Sequence, residues 1–274
     1  MPLTESFFTD EEEQTSLEFL KQGYLIKDVD DRDRLDELRH EVVRIACKHI
    51  GTNLPSNESE FLDQIHTIVP MEKLNDMRLA IFNGINAQAW MRPSYYSLAR
   101  GTISAVVGNE LAMQQKVNLS IQYPDDRSSL LNVHADTWSS ESPFQVVEWL
   151  PLVDTYDTKS MYILSPELNR TLRTRVRKIA DKGGSDQLFE EYRNDFTWLP
   201  VPYGKVLVFS PNILHGNVVN ETSETRWSFN CRVKGLFTPY MSEEKKLGSF
   251  YLPITPKAMT RVGNNYSIPE GFHE

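Results

Sequence analysis

The chain has 274 residues, 40 % hydrophobic and 24 % charged, with a net charge of −9; this is a globular composition with no electrostatic case for a nucleic-acid partner. Its two cysteines, Cys47 and Cys231, have no paired spacing, which excludes a disulfide scaffold and fits a reducing cytoplasm. The opening "MPLTESFFTDEEEQ" is acidic rather than basic-then-apolar, and no apolar run reaches the roughly eighteen residues a membrane span needs, so a cytoplasmic location without a membrane partner is expected.

The N-terminal half reads as helices. In "DVDDRDRLDELRHEVVRIACKHIG" Leu35, Leu38, Val42, Ile45 and Ala46 recur at spacings of three and four, and Gly51 closes the segment. "PMEKLNDMRLAIFNGI" repeats the pattern with Leu74, Met77, Ile81 and Phe82, and "PSYYSLARGTISAVVGNEL" predicts a third helix stopped by Gly108. From Val117 the period changes to two: Val117, Leu119 and Ile121 alternate with Asn118, Ser120 and Gln122. "LLNVHADTW", "FQVVEWLPLVD", "SMYILSP", "KVLVFS" and "RWSFNCRVKGLF" follow as short strands separated by turn residues. One helix interrupts them, "PELNRTLRTRVRKIADKGG", with Leu172, Val176 and Ile179 on one side and Gly183-Gly184 at its end. Helices followed by many short strands predict an α+β fold, a barrel or jelly roll buttressed by a helical layer. A single domain over 1–274 is the simplest organisation: helical support over about 15–110, a jelly-roll core over about 115–250 with a helical insertion near 166–195, and a C-terminal tail from 251 to 274.

Within "LLNVHADTW", His134 and Asp136 stand one residue apart in an apolar run. The next histidine, His215, lies 79 residues past Asp136, beyond a strand and inside the turn-rich "SPNILHGN". Two histidines and one carboxylate form a facial triad that suits Fe(II) and leaves three cis positions open. Arg226 follows eleven residues after His215, and period two places Ser228, Asn230 and Arg232 on the same face as Arg226. An inward arginine requires an anion, and a dicarboxylate such as 2-oxoglutarate could chelate iron at one end and meet Arg226 and Ser228 at the other.

This constellation, His-x-Asp, a distant His, then Arg-x-Ser, resembles the Fe(II)/2-oxoglutarate-dependent dioxygenases. "FLKQGYLIKDVDDRDRLDELRHEV" and "SIQYPDDRSSLLNVHADTW" are similar to the phytanoyl-CoA-dioxygenase-like branch. "HADTW", "SMYILSP" and "SFNCRVKGLFTPY" look most like the oxygenases of bacterial carbohydrate biosynthesis clusters. The resemblance covers roughly residues 15 to 250. It implies a double-stranded β-helix (jelly roll, cupin-like), with His134, Asp136 and His215 as iron ligands and Arg226 and Ser228 on the distal carboxylate. Gln122 would be a further co-substrate contact. Fe(II), 2-oxoglutarate and O2 would serve hydroxylation or oxidation of a small polar substrate, expected to be a sugar, nucleotide sugar or glycan precursor. The chain departs from the branch in having "VDTYDTKS" and "ILSPELN" where relatives carry an Asn-Gly turn and a "PGSH" motif, positions that shape the substrate mouth. Asp136 stands where halogenating relatives have a small residue, which disfavours halogenation.

Other readings stay open at this level. Arg226 could pair with Glu148 or Glu224. Trp138 and Trp149 could each line the pocket or fill the core, with Trp138 favoured for the pocket; Arg232 and Asn118 are candidate substrate contacts. His40, His49, His66 and His273 decorate helices or the tail. Arg170, Arg173, Arg175, Arg177, Lys178 and Lys182 form a basic face or a clamp for an anionic substrate. The same chemistry could act on an amino acid or acyl group. A jelly-roll protein that binds metal and sugar without oxidising anything, or a structural homodimer with an incidental His-Asp pair, would account for fewer of these residues.

Overall fold

The computed structural model describes residues 7–172 and 184–271. Val176, Ile179, Gly183, the basic residues from Arg173 to Lys182, and His273 lie outside them.

The first helix, α1 (Asp10–Gln22), opens with a reciprocal cap: Glu12 N–H donates to Thr9 Oγ1 and Thr9 N–H to the Glu12 carboxylate. It ends at Gly23, whose φ of +80° turns the chain into β1 (Tyr24–Asp28). Asp31 caps α2 (Arg32–Ile50), which ends at Gly51 with φ +74° as its sequence predicts. Its buried stripe is Leu35, Leu38, Val42, Val43, Ala46 and Cys47; Ile45 is half-buried beside it. After α3 (Glu58–Asp63), α4 (Met71–Asn86) buries Leu74, Met77, Ile81 and Ile85, with Phe82 packed against the same core.

The third predicted helix is two, α5 (Met91–Ser97) and α6 (Arg100–Val106). The break has a tertiary cause: Asp30 N–H takes the Leu98 carbonyl (2.9 Å), and the Asp30 carboxylate accepts from Gly101 N–H (2.7 Å) at the start of α6. A carbonyl drawn out of the helix and a cap from another segment interrupt a pattern that locally reads as continuous.

The strands are β2 (Leu111–Gln114), β3 (Asn118–Gln122), β4 (Gln145–Pro151), β5 (Met161–Leu164), β6 (Phe196–Leu199), β7 (Lys205–Phe209), β8 (His215–Gly216), β9 (Arg226–Gly235) and β10 (Tyr251–Pro253). Helices α7 (Pro166–Leu172) and α8 (Gly184–Tyr192) form the insertion between β5 and β6, and α9 (Ala258–Asn264) follows β10. All named pairings are antiparallel. The larger sheet runs β1-β7-β4-β9-β2-β10, with β3 also beside β9; the smaller runs β6-β5-β8. They form the two walls of a jelly roll without closing into a continuous barrel.

The long strand β9 organises the larger sheet. Its residues Trp227, Phe229, Cys231 and Val233 enter a buried core shared with α2, α4 and α5. Arg226, Ser228, Asn230 and Arg232 take the other face, opposite Gln122, Ser120 and Asn118 of β3 and Pro151, Trp149 and Val147 of β4. A second core, containing Tyr162, Leu164, Leu188 and Phe196, packs α8 on the outside of the smaller sheet.

Two further expectations are corrected. "LLNVHADTW" is no regular strand: it is an extended loop with one bridge, His134 to His215, followed by a single 3-10 turn over Asp136–Ser139. Its neighbour β8 is only two residues long, so no ladder can propagate along it. The segment from 251 is more than a tail, since β10 pairs with β2 and buries Tyr251. Among the described residues no helix is long and apolar enough to cross a membrane.

Gly23 and Gly51 separate backbone strain from packing. A Cβ on Gly51 would meet nothing within 4 Å, whereas one on Gly23 would collide with the Ile213 side chain. Gly51→Ala is therefore expected to cost about 1 kcal/mol, from its positive φ alone. Gly23→Ala should cost about 1–3 kcal/mol more, from the collision. Urea unfolding of the two variants checks this; coincident midpoints would contradict it.

Candidate metal centre and its cavity

An isolated antiparallel bridge brings the two histidines together through their backbones. His134 N–H donates to His215 O (3.0 Å) and His215 N–H to His134 O (2.9 Å), which sets the imidazole centroids 4.4 Å apart. Each Nδ1 lies against a carbonyl two residues back, His134 on Asn132 O (2.7 Å) and His215 on Ile213 O (2.8 Å). A carbonyl can only accept, so each Nδ1 carries the proton and each Nε2 keeps its lone pair for the cavity. Asp136 opens the 3-10 turn and places Oδ1 3.5 Å from His134 Nε2 and 3.8 Å from His215 Nε2. The three donor atoms lie within 4.8 Å of one another.

The other oxygen of Asp136 is taken. Arg232 donates to Oδ2 from Nη2 (2.7 Å) and Nε (3.1 Å), leaving Oδ1 free for a cation. Burial works to raise the Asp136 carboxyl, but His134, Arg232 and His215 outweigh it and hold it well below the usual carboxylate range. Burial pushes His215 down to about 4 against the pull of Asp136. Burial also opposes a charge on His134, yet Asp136 and the Asn132 carbonyl leave its pKa raised overall. Two imidazole nitrogens and one carboxylate oxygen, with nothing thiolate, make a donor set for a divalent first-row metal.

The centre faces a cavity of about 400 Å³ between the sheets. At its buried end Arg226, 4 % exposed, donates to Ser160 O (3.3 Å) and Ser120 Oγ (3.4 Å). Arg226 Nε and the fully buried Ser228 Oγ have no partner among the described residues, and both side chains line the cavity. Burial lowers the Arg226 pKa to about 10, with a weak opposing pull from Asp126, so the guanidinium stays charged at neutral pH. Neither alternative partner reaches it. Glu148 is in register with Cys231 on the opposite face of the sheet, and Glu224 bonds Lys159 (2.7 Å) and Tyr156 (3.0 Å).

The remaining candidates are distributed unevenly. Asn118 lines the cavity and donates to Asn230 Oδ1 (3.1 Å). Gln122 is fully buried but outside the lining: its amide donates to Val218 O (2.8 Å) and accepts from Asn217 Nδ2 (3.2 Å). Trp138 is half-exposed and borders a separate groove with Phe19, Leu20 and Ile213, while Trp149 lines the cavity. Arg170, the one basic residue of its segment that is described in full, borders that outer groove too. Sequence reading missed Asn217, Glu141 and Lys245 as lining residues. All three lie outside the helices and strands, where no periodicity assigns a face.

No known family model matches the chain, and no curated protein sequence is detectably similar. Solved structures are. A nickel complex of the non-heme monooxygenase ThoJ aligns with a TM-score of 0.56 at 13 % identity, covering 89 % of this chain and 84 % of that one. EctD from S. alaskensis, solved with 2-oxoglutarate and 5-hydroxyectoine, gives 0.56 at 15 % identity, over 88 % and 83 %. HygX from Streptomyces hygroscopicus, with nickel and 2-oxoglutarate bound, gives 0.51 at 14 % identity, over 93 % and 94 %. The chain therefore has the helix-buttressed jelly-roll fold of these proteins, and within it a two-histidine, one-carboxylate centre.

Two outcomes follow from the geometry. Arg232→Met frees Asp136 to rotate and should lower Fe(II) affinity by about 10–100-fold, read by competition with a chromogenic chelator; equal affinities would remove the orienting role. Metal binding also requires neutral imidazoles. As pH falls, His134 with its raised pKa takes a proton first, and His215 follows only near 4. Affinity should therefore drop about tenfold per pH unit across the first step, one proton per metal. A slope of two throughout would contradict the separation.

Proposed function

We propose that this protein is a non-haem Fe(II)- and 2-oxoglutarate-dependent dioxygenase. The observation that carries the proposal is the pairing of two features in one cavity: a convergent His-Asp-His donor set, and a buried, charged Arg226 whose Nε, with Ser228 Oγ, has no partner among the described residues. Leaving those donors unmet costs roughly 1–3 kcal/mol each unless a ligand accepts from them. A carboxylate is the anion whose geometry a guanidinium and a neighbouring hydroxyl fit.

His134 and His215 would bind iron through Nε2 and Asp136 through Oδ1. When bound, iron and 2-oxoglutarate supply oxygen activation coupled to decarboxylation, giving succinate and carbon dioxide. The protein's part is positional. The Nδ1–H bonds to Asn132 and Ile213 fix both imidazole planes, and Arg232 keeps Asp136 to one ligating oxygen. We read Arg232 as positioning the metal ligand rather than contacting substrate, because Asp136 occupies its Nε and Nη2 and Gln114 stands 3.4 Å from Nη1. Arg226 and Ser228 would fix the distal carboxylate, and Gln122 would support this region through Asn217. Val147, Trp149, Met161 and Phe209 give the cavity an apolar wall that limits water, a role in which Trp149 takes the place expected of Trp138.

The substrate side carries Asn118, Asn230 and Lys245, which supports a small polar substrate, with sugars, nucleotide sugars and glycan precursors first in line, and amino acids as the alternative. The motifs around "HADTW" support the phytanoyl-CoA-dioxygenase-like branch, and hydroxylation without halogenation accords with Asp136.

Anaerobic titration of the metal-free protein with Fe(II) and then 2-oxoglutarate tests the proposal. A weak visible charge-transfer band should form. Arg226→Ala should weaken 2-oxoglutarate binding by about 100-fold while iron still binds, and Asp136→Ala should lose both. Iron binding without a band in the wild-type protein would leave a metal-binding jelly roll that performs no oxidation.

A further inference from the structure

The cavity also bears on the charge of the substrate, a point that rests on the iron and 2-oxoglutarate reading above. We propose that the substrate carries one negative charge, on a carboxylate or a phosphodiester, and that Lys245 holds it at the open side of the cavity.

Lys245 lines the cavity with its side chain 21 % exposed, whereas Arg226 and Ser228 are buried at the other end. An ammonium has three N–H donors. One goes to Ser139 O (2.5 Å) and one to Glu141 Oε1 (2.8 Å); the third has no oxygen or nitrogen acceptor among the described residues, and the Phe250 ring centroid stands 5.8 Å from Nζ. Glu141 cannot swing away to satisfy it further. Its Oε2 is held by Tyr251 Oη (2.8 Å) and Gln145 Nε2 (3.1 Å), and its Oε1 also stands 3.7 Å from Arg232 Nε. Glu141 is thus a single carboxylate between two cations.

Charge balance gives the sign. Divalent iron would be matched by Asp136 and the chelating carboxylate of 2-oxoglutarate, and Arg226 by the distal carboxylate. With Asp136 counted against iron, Glu141 is the remaining carboxylate among the described lining residues for Arg232 and Lys245 together, which leaves one positive charge over. Arg232 cannot present it, being bound to Asp136 on two nitrogens. Lys245 can, through its remaining N–H. An unbalanced charge in a partly enclosed, low-dielectric space favours an anion of matching magnitude. A neutral ligand would leave the ammonium unmet, and a dianion would exceed it.

The test uses the whole chain loaded anaerobically with Fe(II) and 2-oxoglutarate, with acetate, dimethyl phosphate (the phosphate probe) or glycerol added at ionic strength held constant by sodium chloride. The readout is the position of the visible band, and each variant is compared with its own loaded complex. Acetate and phosphate should shift the band saturably and glycerol should not. Lys245→Met should weaken the anion effect by about tenfold and Lys245→Arg should restore part of it. A response to acetate alone or phosphate alone supports the proposal and identifies which oxyanion the site takes. The proposal is overturned if glycerol matches the anions, if no anion shifts the band, or if Lys245→Met responds like the wild-type protein. Failure of the band to form at all would instead remove the oxygenase reading, and this inference with it.

Discussion

Strand β9 must hold two environments apart. Its side chains alternate between Trp227, Phe229, Cys231 and Val233 in the helical core and Arg226, Ser228, Asn230 and Arg232 in the cavity. A register slip of one residue would put two arginines into the core and two aromatic rings into the cavity, so the pairing with β3 and β4 is strongly specified. Everything the site contains depends on that phase. The apolar face anchors the sheet to α2, α4 and α5, and the same anchoring presents the polar face to the opposite sheet.

Holding buried arginines requires compensation, and the two cavity-facing arginines receive it differently. Arg232 is compensated within the protein, by Asp136 and at longer range by Glu141. Among the described residues Arg226 has a carbonyl, a serine hydroxyl and the distant field of Asp126. Removal of one partner from a buried charge pair is costly, so the Arg232–Asp136 bond is a fixed part of the fold. Arg226 is instead a charge without a counter-ion among the described residues, which is the ground for the proposed co-substrate site.

The bridge between His134 and His215 shows how little regular structure a site needs. A single exchange of backbone hydrogen bonds fixes two residues that are distant in sequence, and two carbonyls then fix their rings. The turn at Asp136 adds the carboxylate. Outside this point, loops from Leu130 to Ser139 and from Ser210 to Glu221 contribute Leu131, Ser139 and Asn217 to the wall, and Lys245 enters from the segment before β10.

The α2 and α4 stripes, the two faces of β9, and the spacing of His134, Asp136, His215 and Arg226 were all legible in the sequence. Each is set by a local period or by a side chain whose chemistry admits few roles. The tertiary structure alone decided that one apparent helix is split by Asp30, that "LLNVHADTW" is a bridged loop, and that the last strand closes the edge beside β2. It alone placed Trp149 rather than Trp138 at the cavity, turned Arg232 onto Asp136, and brought Glu141 and Lys245 into the cavity lining. Those outcomes depend on hydrogen bonds and ion pairs between residues far apart in the chain, and on turns without periodicity, so no local pattern encodes them.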